Sequence, residues 1–458
     1  MTSERKLVAA IDLGSTSFKA AVFDSDLNML GEGRALLQYR FDGGGIVELG
    51  VAHAEQSFRS AVGSALAQSR VRASEIRGVG VTSQAQTFTV GPEKGSPKIP
   101  FVSWQDTRSL QAPCVPWPDF GSHCGFHEQI PGLLVSKLLY LQNQTGQELI
   151  GPADRVWLLP TWFVWKLTGK AVADDNLAGM SGLYSLVHGG WWPEALTRCG
   201  LTTAHLPALA PPASVAAYTA EAAVDWGLPS GIPVVLAGND QTAGAWGADL
   251  HVNRAVLITL GTAQVAYRCL DSLPAPAEGC LRGTYGDGCS FQMAADDCGC
   301  AVVEWAKDLL ACGSGDAFFD MASGAPRGCD GLVFDPDLGT GRGAWRGIGR
   351  NHTPAHFARS VIESLVSRMN GMVRRISGPG GPARVLVAGG GSRYALWVDL
   401  LSEALGISVT RSSATPLLGA AIMTERTLRN PGKHAADERV NPRRAGAQPP
   451  ERRVCGKQ

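Results

Sequence analysis

Two stretches of the chain repeat one pattern of apolar and polar positions. IDLGSTSFKAAVFD, from Ile11 to Asp24, and ITLGTAQVAYRCLD, from Ile258 to Asp271, each run from apolar residues through a Leu-Gly-hydroxyl turn into a second apolar run. That pattern predicts a β-hairpin whose backbone N–H groups can face a polyphosphate. A repeat this far apart predicts two related domains gripping one nucleotide between them. Asp12 in the first copy is replaced by Thr259 in the second, so the grip is shared and the metal-holding acid is not.

Between the hairpins the periodicity alternates between strand and helix. Met29 to Leu37 reads as a strand, and a helix follows from about Ala54 to Gln68, where Phe58, Ala61, Val62, Ala65 and Leu66 form one apolar stripe. The strand Ile76 to Val81 delivers Ser83, Gln84 and Gln86 at its carboxyl end, where open α/β sheets bind ligands. Pro113 to Phe126 reads as a loop excursion, Leu133 to Gln144 as a helix, and the tryptophan-rich Trp157 to Gly169 as a packed helix or lid. Pro229 to Ala237 is a turn and a continuous apolar strand ending in Gly238, Asn239, Asp240 and Gln241. In the second half, helices are expected near Ala301 to Leu310, Pro354 to Ile376 and Ala395 to Leu405. A strand is expected at Arg384 to Ala388, with a glycine-rich loop at Gly339 to Gly349. This order predicts mixed sheets with helices on both faces. The domains expected are residues 1–245 and 246–425, followed by a tail, 426–458.

That tail carries seven Arg and two Lys against one Asp and two Glu, with few large apolar residues. It cannot bury enough surface to offset its ordering entropy, so disorder is expected. The 458-residue chain has a formal net charge of zero, 45% hydrophobic and 18% charged residues. This offers no electrostatic case for nucleic acid or an anionic membrane. No signal-peptide pattern opens the chain and no apolar run is long enough to span a bilayer, which predicts a cytoplasmic protein. Eleven cysteines, with only a C-x-C pair near Cys298 and Cys300, fit reduced thiols better than a disulfide framework or a zinc site.

Asp12, Gly14, Ser15, Thr16 and Lys19 form the best candidate phosphate site. Glycine admits the phosphate, hydroxyls donate, and the carboxylate suits Mg²⁺. A plain Gly-Ser turn would look the same in isolation, but the echo at Leu260-Gly261-Thr262 favours phosphate. Gly389, Gly390, Gly391 and Ser392 follow a strand and open a helix, so their N–H groups can meet a nucleotide. Asp240, where a buried strand runs out, suits a general base or a helix N-cap. Trp104, Asp106 and Arg108, in the segment WQDTR, combine an aromatic face with bidentate polar groups. That mixture suits a polyol, or equally a surface salt bridge beside a core tryptophan.

These motifs resemble those of the FGGY carbohydrate kinases, relatives of hexokinase, actin and the Hsp70 ATPase domain, from about Leu7 to Glu425. The segment GAWRGIGRNHTPAHFARSVIE, Gly343 to Glu363, is similar to the family's C-terminal signature, and Leu167-Thr168-Gly169 with Asp174 resembles its LTG-x-x-x-x-D element. The resemblance implies an α/β fold of two related ribonuclease H-like domains of the actin/hexokinase type, with mixed sheets flanked by helices and an interdomain cleft. It implies an ATP- and Mg²⁺-dependent sugar kinase with Asp240 as base and Asp12 toward the metal. Gln84, Gln86, Trp104, Asp106, Arg108 and Gln241 then line the sugar pocket, while Gly14, Ser15, Thr16, Lys19, Gly261, Thr262 and Gly389 to Gly391 hold the nucleotide. Glycerol kinases carry Arg-Glu where this chain has Ala85-Gln86, and xylulokinases carry Met-His-Gly there, which disfavours both substrates. The expected partner is a sugar or polyol, with neither nucleic acid nor membrane involved, in a homodimer. The alternatives are a nucleotide-gated switch and a sugar-binding relative without turnover.

Overall fold

The computed structural model describes residues 7–111, 117–145, 149–250, 254–337 and 342–430. Its first sheet contains β1 (Leu7–Leu13), β2 (Ser17–Phe23), β3 (Met29–Leu36), β4 (Ile76–Ser83) and β5 (Pro233–Asn239). Their spatial order is β3-β2-β1-β4-β5, with Ser214–Tyr218 beyond β5. β1 runs antiparallel to β2 and parallel to β4, and β4 is parallel to β5.

The second sheet repeats this plan. β6 (Ala255–Leu260), β7 (Gln264–Leu270), β8 (Cys289–Asp296), β9 (Arg384–Ala388) and β10 (Val409–Arg411) lie in the order β8-β7-β6-β9-β10, with Leu281–Gly286 on the edge. β6 is antiparallel to β7 and parallel to β9. The repeated hairpin is therefore the centre of a repeated sheet, as the sequence pattern predicts.

Alternation along the strands explains how the sheets are covered. Leu7, Ala9 and Ile11 of β1 pack with α1 (Val51–Ser69) on the outer face. Val8 and Ala10 point the other way, toward a core shared with Leu257, Tyr267 and Leu386 of the second sheet. Two helices, α2 (Asp240–Gly247) and α6 (Pro416–Arg429), fill that shared layer. They cross backbone to backbone, because a Cβ on Gly419 would lie 1.7 Å from the Ala243 carbonyl oxygen. The outer face of the second sheet is covered by α3 (Cys300–Leu309), α4 (Pro354–Ser377) and α5 (Ala395–Leu405).

Several expectations change. The tryptophan-rich segment is the strand Asp154–Leu158 and the helix Leu159–Thr168, with Trp157 and Trp162 fully buried, so it packs and does not form a lid. Part of the glycine-rich loop is a strand, Arg342–Arg346, paired with Val333–Asp337. The excursion near Pro113 falls partly outside the described residues, but Trp117 stacks on Trp192 at 5.1 Å and Phe120–His123 is helical. The expected tail starts too early. α6 continues to Arg429, Thr427 is buried, and Arg426 pairs with Asp287 at 2.7 Å. The remainder, residues 431–458, lies outside the described residues.

Candidate active site

A cavity of about 440 Å³ opens where the two sheets present their hairpins, lined among others by Asp12, Lys19, Glu32, Asp240, Gln241, Thr259, Gly389 and Gly390. Both halves of the chain supply walls, so the cavity is the interdomain cleft. The expected base, metal-side acid, phosphate-side lysine and glycine turn thus meet in one place.

Asp12 lies on β1, opposite Lys19 of β2, and their side chains approach to 3.4 Å. Burial raises the Asp12 pKa against the opposing pull of Lys19. Its Oδ1 is buried with no hydrogen-bond partner, which is the kind of oxygen a hard cation or its water takes up. Among the described residues no group of three or more His, Cys, Asp or Glu could hold a metal ion. One or two carboxylates suffice for Mg²⁺, which keeps several waters and completes its shell on substrate phosphates.

Asp240 is the first residue of α2, and the N-cap is its neighbour. Asn239 Oδ1 accepts the Thr242 N–H at 2.9 Å, so of the two sequence readings of Asp240 the cap falls to Asn239. Asp240 Oδ1 accepts the Gln241 N–H at 2.8 Å. Burial, and then the negative charge of Asp12, push the Asp240 pKa up to about 7. Part of Asp240 still faces the cavity. A carboxylate in this state is half-ionised near neutrality and open on one side, as a general base must be.

The glycine turn is bound to the second hairpin. Gly389 has φ +89°, and a Cβ there would lie 2.5 Å from the Leu260 carbonyl oxygen, immediately before Gly261. Gly391 packs against Leu260 and Trp397 behind the lining. Gly14, Ser15 and Thr16 occupy the first hairpin turn, and Gly261 and Thr262 the second, all outside the lining of the cavity proper. Thr16 and Thr262 are exposed.

The residues expected to line the sugar pocket divide sharply. Gln241 lines the cavity. Gln84 braces the first hairpin, its Nε2 donating to the Gly14 carbonyl at 3.2 Å and its Oε1 accepting from Thr87 at 3.1 Å. Trp104 is half-buried, and its N–H donates to Thr87 Oγ1 at 3.1 Å. Gln86, at φ +64°, has an amide already engaged: Oε1 accepts the Leu134 N–H at 2.7 Å and Nε2 donates to the Met180 carbonyl at 2.5 Å. It ties a helix N-terminus to a distant turn.

Asp106 and Arg108 also face inward. Asp106 accepts the Val47 N–H at 2.9 Å and Arg108 Nε at 3.0 Å, and Arg108 reaches Glu48 at 2.8 Å. Beneath them Lys137, 1% exposed, donates to the carbonyls of Ser103 and Trp104 at 2.7 and 3.0 Å. Burial pushes its pKa down to about 7. The ion pair expected from WQDTR is present, but it is a buried network holding the loop of a half-buried Trp104, not a surface bridge beside a core tryptophan.

Sequence reasoning missed most of a row of hydroxyls, reaching only Ser392 at the end of the glycine turn. Ser392, Ser412, Ser413 and Thr415 line the cavity, and Thr415 Oγ1 caps α6 by accepting the Leu418 N–H at 3.1 Å. The available signal was Thr-Pro after a short strand, a helix start.

Known proteins place this arrangement. Family models for the N-terminal and C-terminal domains of the FGGY family of carbohydrate kinases match residues 7–247 and 256–427. A glycerol kinase 2 from Saccharolobus solfataricus is 26% identical over 459 residues, 91% of this chain and 88% of its own. In fold, the chain resembles a ligand-bound xylulose kinase from Lactobacillus acidophilus, with TM-score 0.83, 18% identity and coverage of 93% and 90%. A gluconate kinase from the same organism also gives TM-score 0.83 at 18% identity, covering 94% and 90%. Two matched domain models, two sheets of one strand order and a cleft walled by both therefore converge: the chain belongs to the FGGY family of carbohydrate kinases.

Proposed function

We propose that this carbohydrate kinase transfers the γ-phosphoryl group of MgATP to a primary hydroxyl of a polyol, ketose or aldonate, with Asp240 as general base. The observation that carries the reading is Asp240 itself: a carboxylate held near pKa 7, facing a cleft whose other walls are a glycine turn and Asp12. As the substrate oxygen forms its bond to phosphorus, Asp240 takes the hydroxyl proton and the bond to the leaving ADP oxygen breaks. Such transfer depends mainly on positioning and on electrostatic stabilisation of the transferred group. Lys19 and the N–H groups at Gly389 and Gly390 are placed for nucleotide phosphate, and Asp12 would hold Mg²⁺ or its water. Bound there, the ion would offset phosphate charge.

The substrate range follows relatives named for glycerol, xylulose and gluconate. Trp104 and Gln241 are the side chains we place toward it, while Gln84, Gln86, Asp106 and Arg108 act behind them. We set the domain boundary at residue 245, inside α2, since the first sheet ends at Asn239 and the second begins at Ala255. Cytoplasmic residence and a homodimeric state belong to the same proposal, and sedimentation velocity reads the second directly. ADP release with and without a panel of polyols, ketoses and aldonates tests the function. Release that requires one class of sugar supports it, sugar-independent release points to a nucleotide switch, and sugar binding without release points to a non-catalytic relative.

A further inference from the structure

A buried amide links the start of α2 to the second sheet. Asn176 is fully buried in the short helix Asp175–Gly179. Its Oδ1 accepts the Asn239 N–H at 2.9 Å, while Nδ2 donates to Thr242 Oγ1 at 2.9 Å and to the Thr284 carbonyl at 2.5 Å. A backbone donor on one side and a backbone acceptor on the other fix which end is oxygen. Asn239 and Thr242 flank Asp240 and Gln241, whereas Thr284 belongs to the edge strand Leu281–Gly286 of the second sheet.

Neighbouring groups complete the arrangement. Asp174 Oδ2 accepts the Gly238 N–H at 2.7 Å, and Thr82 Oγ1 donates to the Gly238 carbonyl at 2.9 Å. Gly238 takes φ +66°, and a Cβ there would meet Thr242 Cγ2 at 3.0 Å and Asn176 Oδ1 at 3.3 Å. From the second sheet, Tyr267 OH lies 2.8 Å from Thr242 Oγ1, and Thr284 Oγ1 donates to Asp175 at 2.8 Å. The backbone that aims Asp240 is thus held by side chains across a break in the strand pairing: the β4–β5 register shifts between Leu236 and Asn239 and resumes with Asn239 opposite Ser83.

We infer that Asn176 is a positioning residue for the transfer step: its amide holds the Asn239 backbone just before Asp240 and the Thr242 hydroxyl just after it, and ties that placement to Thr284 of the second domain. The inference rests on Asp240 being the base. Unlike a sugar or phosphate contact, such a residue acts on the rate and not on ground-state binding, since a small misplacement of a reacting group is costly in rate.

The test compares Asn176→Ala, Thr242→Val, Thr242→Ser and Asp240→Asn in the full chain, using steady-state kinetics on the sugar that supports turnover and urea melts. Asn176→Ala should lower kcat by about 10- to 100-fold with both KM values within about twofold. Thr242→Val, close in shape but without the hydroxyl, should lower kcat in the same way, and Thr242→Ser should restore it. This pair decides the matter if Asn176→Ala does not fold. A folded Asn176→Ala with kcat within twofold of the parent would overturn the inference, as would Thr242→Val and Thr242→Ser behaving alike. If Asp240→Asn stays active while the other variants are slowed, it is the base assignment that fails.

Discussion

Asp12 and Asp240 share one cavity wall, and the negative charge of Asp12 is the second-largest cause, after burial, of the raised Asp240 pKa. A base must be deprotonated to act, so kcat should rise with pH and level off above about 7. Asp12→Asn removes the repelling charge, and the midpoint should move to lower pH in whatever activity remains. An unmoved midpoint would detach the titration from Asp240.

Asp240→Asn should abolish sugar phosphorylation, by about 10²- to 10⁴-fold, with ATP affinity within a few-fold of the parent. The same variant carries a stability signature. The native pKa lies above the unfolded value of about 3.9, so the folded state holds this proton more tightly. The resulting stabilisation is present at low pH and is lost as pH rises through about 7. The Tm of Asp240→Asn should therefore exceed the parent's at pH 8 and converge with it only below about pH 4. A gap that widens on acidification would contradict the burial account.

Gln86→Leu should act on the fold. It strips partners from the Leu134 N–H and the Met180 carbonyl, at about 1–3 kcal/mol for each polar group left buried and unpaired. Urea melts should show that loss, with all accepted sugars affected alike. Selective loss of one sugar at unchanged stability would return Gln86 to the substrate.

Asp106→Ala leaves Arg108 with Glu48 alone and removes the acceptor of the Val47 N–H. Breaking a buried pair typically costs about 3–5 kcal/mol, and Arg108 keeps 15% side-chain exposure, which places the expected loss toward the lower end. A variant as stable as the parent in chemical denaturation would show that the network is incidental.

Truncation separates the end of α6 from the residues beyond Asn430. A chain ending at Glu425 loses the buried Thr427, the Arg426–Asp287 pair and the Arg429 bond to Ser25, and should melt several degrees lower. One ending at Asn430 should match the full chain in Tm and kcat. A drop for the longer truncation product would show that residues 431–458 contribute.

The features legible in the sequence were those written in local pattern. The hairpins around Gly14 and Gly261, the stripe of α1 and the run β9, Gly389 to Gly391, α5 declare themselves through period and glycine placement. What was not legible depends on residues far apart in the chain. Gln86 follows a strand end, where a ligand contact is the natural reading, and only the approach of Leu134 and Met180 shows that its amide is taken. Asp106 and Arg108 look like recognition groups until Glu48 and Lys137 are seen beside them. Asn176 gave no signal, since a lone asparagine after Asp174-Asp175 reads as a helix start. α6 was obscured by its own arginines, which resemble the composition of residues 431–458.

The contact at Gly419 has a mechanical meaning. Asp240 opens one rod of the central layer and Thr415 caps the other, so two jambs of the cavity's doorway are the ends of two bars touching without side chains between them. The gap at the doorway is set by the thickness of bare backbone. Even one methyl group at position 419 would act as a wedge at the fulcrum and be felt at Asp240 and the Ser412–Thr415 loop, which line the cavity together.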